Sequence, residues 1–214
     1  MTPDLNPLPS TQGRRVQLRP LGGRDYEALR LMELSDELGA RWRLHGGTPD
    51  PDSFLQSASA GVIAQFLVVP RSAVGTQAGA EAPMGIVTSY GANFQSGYAY
   101  IAAAKFARSV PSSMFIEGVA VFIEYVFACW AFRKLYAEVD EFNLPQFASV
   151  LESLFREEGR LREHTFLADR YWDRHILALY RSSWSTEVRP SLMRFLHRGG
   201  SSDSPMPSTL RAQA

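Results

Sequence analysis

The chain has 214 residues and a single cysteine, Cys129, so no internal disulfide is available to staple it. No group of Cys and His residues has the spacing of a zinc site, and no metal is expected. No apolar run reads as long enough to span a bilayer, and the N-terminus lacks the apolar core of a signal peptide. Neither sign of charge prevails: 22 Lys and Arg balance 22 Asp and Glu, so no global field draws the chain to nucleic acid or an anionic membrane. Lysine is scarce, with only Lys105 and Lys134, a bias that reflects genome composition rather than function. These absences lead to the expectation of a cytoplasmic protein with no membrane partner.

What is present suits one globular domain. Hydrophobic residues make up 45% and charged residues 21%, and the length supports a real core. Residues 1–13 carry three prolines and read as a flexible leader; residues 14–184 read as the domain. Residues 185–214 read as a short helix, with Val188, Leu192, Phe195 and Leu196 on one face, followed by a Gly/Ser/Pro-rich disordered tail.

Within the domain, a first strand VQLRPL precedes an amphipathic helix over 24–38, and a second short helix begins near Phe54. Strands follow at 64–70, 84–92 and 97–106, the last with Tyr98, Tyr100 and Ala102 on one face. The most periodic helix runs 114–130, with Phe115, Val119, Phe122, Ile123, Val126 and Trp130 on one broad face. A strand KLYAEVD, a helix over 144–155 and two strands centred on 160–166 and 175–180 complete the pattern. Strands outnumber helices early and alternate with them late. That order predicts an α/β single domain: a central mixed, mostly antiparallel sheet with helices on both faces.

The run 133–184 is the most informative stretch, with Asn143 at its first strand-to-helix turn and Glu158-Gly159 opening the next strand. It resembles the C-terminal half of the Gcn5-related N-acetyltransferases, most closely their RimJ/RimL-like branch, and the resemblance spans roughly 16–184. It implies transfer of an acetyl group from acetyl-CoA to a primary amine of a small molecule or a protein N-terminus, by a chain that forms a possible homodimer. In that family the pantetheine arm lies along the strand that here holds Ile101, Ala102 and Ala103, and the pyrophosphate caps the following helix. The resemblance thereby assigns donor contacts to Arg108, Ser112, Ser113, Met114, Phe115 and Asn143.

The sequence departs from the family at two places. The family's phosphate loop carries two glycines; here Ser113 and Phe115 stand in their positions. Pro111-Ser112-Ser113 reads either as a phosphate site, with Arg108 and Lys105 supplying charge, or simply as a good helix start. The family's general acid, a tyrosine or serine on the helix after Asn143, is replaced by Val150 or Gln146. For a general base the candidates are His164, whose imidazole titrates near neutrality, and Glu163; Glu138 is a weaker one. Strict alternation puts Arg160, Arg162 and His164 on one face, with Leu161, Glu163 and Thr165 on the other. Trp42, Arg43 and His45 fall where the family shapes its acceptor site, and Asp173 matches an acidic position of structural character.

Two other readings stay open. The same fold could use a carrier-protein or aminoacyl-tRNA donor, a tRNA being the one circumstance that brings in nucleic acid. Alternatively the chain is a catalytically inactive binding module.

Overall fold

A computed structural model describes residues 9–35, 44–71, 82–146 and 154–197. The strands are β1 (Val16–Pro20), β2 (Val62–Pro70), β3 (Gly85–Asn93), β4 (Tyr98–Lys105), β5 (Lys134–Asp140), β6 (Arg156–Leu167) and β7 (Arg170–Tyr180). The helices are α1 (Gly23–Glu33), α2 (Pro51–Ser59) and α3 (Ser112–Cys129). At the C-terminal end α4 (Arg181–Ser183), a π turn (Trp184–Val188) and α5 (Arg189–His197) run on without a break. The strands form one seven-stranded sheet in the order β1-β2-β3-β4-β5-β7-β6. Every pairing is antiparallel except β4 with β5. The expected fold class is the one observed.

Alternation along each strand sorts the core into two layers. Val16, Leu18, Phe66, Val68, Val87, Ala99, Ile101, Leu135 and Leu179 face α3. Leu67, Val69, Ile86 and Ala104 face α1 and α2 through Leu29, Phe54 and Ala58. Asp50 starts α2 by accepting from the N–H groups of Asp52 and Ser53, with Pro51 in the first turn. Gly118 lets α3 lie close to the sheet, because a Cβ there would come within 2.4 Å of Val68.

Several boundaries differ from the sequence reading. Residues 11–13, assigned to the leader, fold back on β1: Leu18 donates to the Thr11 carbonyl and Gly13 to that of Val16, both at 2.8 Å. Helix α3 is, at 18 residues, long and apolar enough to cross a membrane by length and composition, which the sequence reading overlooked. Its two carboxylates are both paired: Glu117 with Arg15, and Glu124 with Arg189 and the Trp184 indole. Phe115, Phe122, Ile123 and Val126 seat the helix on the sheet, so its apolarity serves the core. Most of the expected 144–155 helix, including Val150, lies outside the described residues; its start, Glu141–Gln146, is a 3-10 turn, and Leu154 is buried in the core.

β6 breaks alternation twice. Between Leu161 and Thr165 it spends four residues where β7 spends two, from Arg174 to Trp172. Glu163 takes φ +49 in this bulge, and its N–H donates to Asp173 at 2.7 Å. The two-faced pattern expected for 160–165 therefore does not hold. A second shift, between Glu157 and Gly159, turns Glu158 out of register toward β5.

Candidate functional site

β4 and β5 pair over three positions only: Tyr98 with Lys134, Ala99 with Leu135, and Tyr100 with Tyr136. Each strand then keeps its outer partner and leaves the other. β4 continues against β3 to Lys105, and β5 continues against β7 to Asp140. A wedge opens between Ile101–Lys105 and 137–140, and among the described residues no strand pairs with this edge of β4 beyond Tyr100. Five residues of strand present roughly 16 Å of backbone. An extended chain bearing amides can add there as a further strand. Ala102, Ala103 and Ala104 keep that edge free of bulk.

The wedge leads to the start of α3. Its N-cap, Pro111, has no side chain to cap with. The N–H groups of Met114 and Phe115 both donate to the Pro111 carbonyl, at 3.1 and 3.2 Å. Those of Ser112 and Ser113 make no hydrogen bond among the described residues, so they add to the positive end of the helix. Two cations flank this end. Lys105 donates to the Val110 carbonyl at 3.2 Å and to Ser112 Oγ at 3.3 Å. Arg15 donates to the Ser113 carbonyl at 3.1 Å, anchored by Glu117 at 2.9 Å. The chemistry suits a phosphate.

Each expected donor contact can now be placed. Ile101, Ala102 and Ala103 form the open edge of β4; Ser112, Ser113 and Met114 form the first turn of α3. Phe115 is not part of an open loop: its ring is 3% exposed and its N–H is engaged. Its bulk is accommodated across the core by Gly85, whose Cβ would come within 2.4 Å of the Phe115 ring. Arg108 is exposed in the turn before α3. Asn143 sits half-buried in the 3-10 turn after β5. His164 and Glu163 are exposed on β6, the sheet's outer edge, with β7 and β5 between them and the wedge. The histidine that the sheet buries is His175, whose Nδ1 lies 2.8 Å from Glu157.

On the face opposite α3, from which the sequence reading had Tyr98, Tyr100 and Glu138 but not their neighbours, side chains from β3, β4, β5 and β7 converge at the wedge. Tyr100 stands at its apex. Its ring lies 5.7 Å from Tyr90, 6.1 Å from Tyr98 and 5.5 Å from Tyr136, centroid to centroid. Gly91, at φ +57, gives the ring its seat: a Cβ there would meet Tyr100 at 3.1 Å. Beneath the cluster, Glu158 accepts from Lys134 Nζ at 2.7 Å, from Tyr136 at 2.8 Å and from Tyr180. Burial opposes its ionisation, but those hydrogen bonds outweigh it and hold the carboxyl at about 2.

Above the apex, Glu138 is exposed on β5 and lies 3.3 Å from Arg174. Arg174 also binds Asp140 at 2.7 Å, and Thr165 donates to Asp140 at 2.8 Å. Burial works against the Asp140 charge; Arg174 and Thr165 overcome it and lower its pKa, with His45 adding a smaller pull from the α1–α2 connection. Trp42 and Arg43 of that connection lie outside the described residues. Burial first, and Glu138 second, raise Tyr90 and Tyr100 above the usual phenol value. Among the described residues no group of three or more His, Cys, Asp or Glu is arranged to hold a metal.

No family model matches the sequence, and no curated protein does. Solved structures do match. A probable acetyltransferase of the GNAT family from Chromobacterium violaceum superposes with TM-score 0.62 at 20% identity, over 85% of this chain and 90% of that one. A GCN5-related N-acetyltransferase from Brucella melitensis gives 0.63 at 19%, over 96% and 95%. Spermidine N-acetyltransferase from Vibrio cholerae, in complex with CoA and spermine, gives 0.64 at 18%, over 81% and 100%. This chain has the fold of those proteins.

Proposed function

We propose that the chain transfers an acyl group, acetyl in the simplest case, from an acyl-CoA to a primary amine. The observation that carries this reading is the parting of β4 from β5 after Tyr100, directly beside an uncapped helix start flanked by Lys105 and Arg15. The open edge of β4 would hold the amides of the pantetheine arm, and the first turn of α3 would hold the pyrophosphate. Fit is favoured by the small side chains of β4 and by the free N–H groups of Ser112 and Ser113. A CoA thioester bound there supplies the acyl carbon and the leaving thiol. One of the solved structures of this fold contains CoA, and its name specifies a polyamine substrate, which supports an amine acceptor.

The acceptor is assigned to the face lined by Tyr90, Tyr98, Tyr100 and Tyr136. The tyrosine faces attract an ammonium, and their bulk excludes water. Glu138 replaces His164 and Glu163 as the general base, because it stands on β5 at the wedge whereas they stand on the far edge. Arg174 holds its carboxylate in place, and Asp140 fixes Arg174 in turn.

Calorimetric titration with acetyl-CoA tests the donor. Micromolar binding, weakened about tenfold by Lys105→Ala or Arg15→Ala, is the expected result, each losing a charge-assisted contact. No binding at millimolar ligand would remove the acyl-CoA reading and turn attention to a carrier-protein or aminoacyl-tRNA donor.

A further inference from the structure

At the two positions that the sequence resemblance gives to a general acid stand Gln146 and Val150, neither of which is one. We propose that Tyr100, at the apex of the β4/β5 wedge, supplies the proton to the leaving thiol. This rests on the acyl-transfer reading above. Tyr100 is the last residue of β4 to pair with β5, so its backbone borders the point where an acyl group on the open edge must lie. Its ring cannot wander: Tyr90, Tyr98 and Tyr136 surround it, and the bare Cα of Gly91 receives its edge. Its hydroxyl has no hydrogen-bond partner among the described residues, whereas the neighbouring Tyr136 hydroxyl is committed to Glu158. A phenol pre-positioned by packing and left uncommitted is suited to proton transfer.

Glu138 completes a pair. It follows Tyr136, the strand partner of Tyr100, by two residues on the same face, which puts the two Cα atoms on the order of 8 Å apart. Burial first, and the Glu138 charge second, push the Tyr100 phenol above its usual value, so it carries its proton at neutral pH. An acceptor that enters as ammonium gives its extra proton to solvent, and as the N–C bond of the neutral amine forms and the C–S bond breaks, Glu138 takes a proton from the nitrogen. Tyr100 gives its phenolic proton to sulfur, and Glu138 then returns its proton to the Tyr100 oxygen. One proton has moved from nitrogen to sulfur, and both residues end as they began.

The test compares wild type and Tyr100→Phe on two donors, acetyl-CoA and S-phenyl thioacetate, with a panel of primary amines. Phenylalanine preserves the ring packing and removes only the hydroxyl. The expected result is a fall in kcat of about 100-fold with acetyl-CoA, with its KM and calorimetric Kd unchanged. With the thiophenyl ester, whose thiol leaves without a proton, the loss shrinks to a few-fold. Equal losses on both donors, or no loss on acetyl-CoA, would overturn the proposal while leaving the acyl-transfer reading intact. A wild type that neither binds acetyl-CoA nor acylates any amine would overturn both. An ultraviolet pH titration gives a readout independent of turnover: Glu138→Gln should shift a phenolate transition to lower pH, and that shift should shrink in the Tyr100→Phe background. An undiminished shift would place the Glu138 interaction elsewhere and overturn the pairing.

Discussion

The two sides of the wedge are built from different materials. On the proposed donor side stand alanines, unpaired strand amides and a helix start to which Lys105 and Arg15 are bound. On the proposed acceptor side stand four tyrosines and two hydrogen-bonded groups of charges, Glu138 with Arg174 and Asp140, and Lys134 with Glu158. Backbone groups suit a donor that is the same at each turnover, since they read shape and charge but not identity. Side chains suit an acceptor that must be chosen and deprotonated. Phosphate binding asks for free N–H groups rather than for glycine as such, and Ser112 and Ser113 offer them.

Substitutions on each side should break the comparison differently. The largest effect is expected on the acceptor side: Glu138→Gln should lower kcat by about 100-fold while calorimetric acetyl-CoA affinity stays unchanged. A parallel loss of donor affinity would show that the two sides are not separable. On the donor side, a backbone-level change should act through stability. The Cβ of Gly85→Ala would come within 2.4 Å of both the Ala104 carbonyl and the Phe115 ring. Thermal unfolding should report a loss of about 1–3 kcal/mol, together with weaker acetyl-CoA binding; an unchanged Tm would mean that β4 and α3 adjust freely.

The smallest effect concerns pH. The Glu158 carboxyl sits at about 2 when folded, below its ordinary 4.5, so its ion pair contributes stability that is complete above 4.5 and is lost as pH falls toward 2. Solvent reaches a quarter of this side chain, which limits the contribution. The Tm of wild type should fall more steeply than that of Glu158→Gln between pH 4.5 and 2. Parallel curves would show that Glu158 anchors nothing.

Much of the frame was legible in advance because it rests on local pattern. The strands at 64–70, 84–92 and 97–106 and the helix from 114 to 130 follow from periodicity, and the observed elements lie within a few residues of those bounds. The placement of a candidate base is less legible. His164 and Glu163 are candidates in the sequence because an imidazole titrates near neutrality and a carboxylate can accept a proton, yet β6 forms the edge of the sheet and bulges at Glu163. Neither the bulge nor the strand order is written in local composition, and a bulge changes which face every later residue occupies.

By itself, the sequence determined the order of strands and helices, the apolar stripe that seats α3, and the small side chains of β4, all consequences of residue type and spacing along one chain. Tertiary structure alone decided that Tyr90, Tyr98, Tyr100, Tyr136, Glu138 and Arg174 meet at one opening. They come from four strands and up to 84 positions apart, between Tyr90 and Arg174. Such a meeting is set by cross-strand register and by where β4 and β5 cease to pair, and both depend on the packing of the whole sheet.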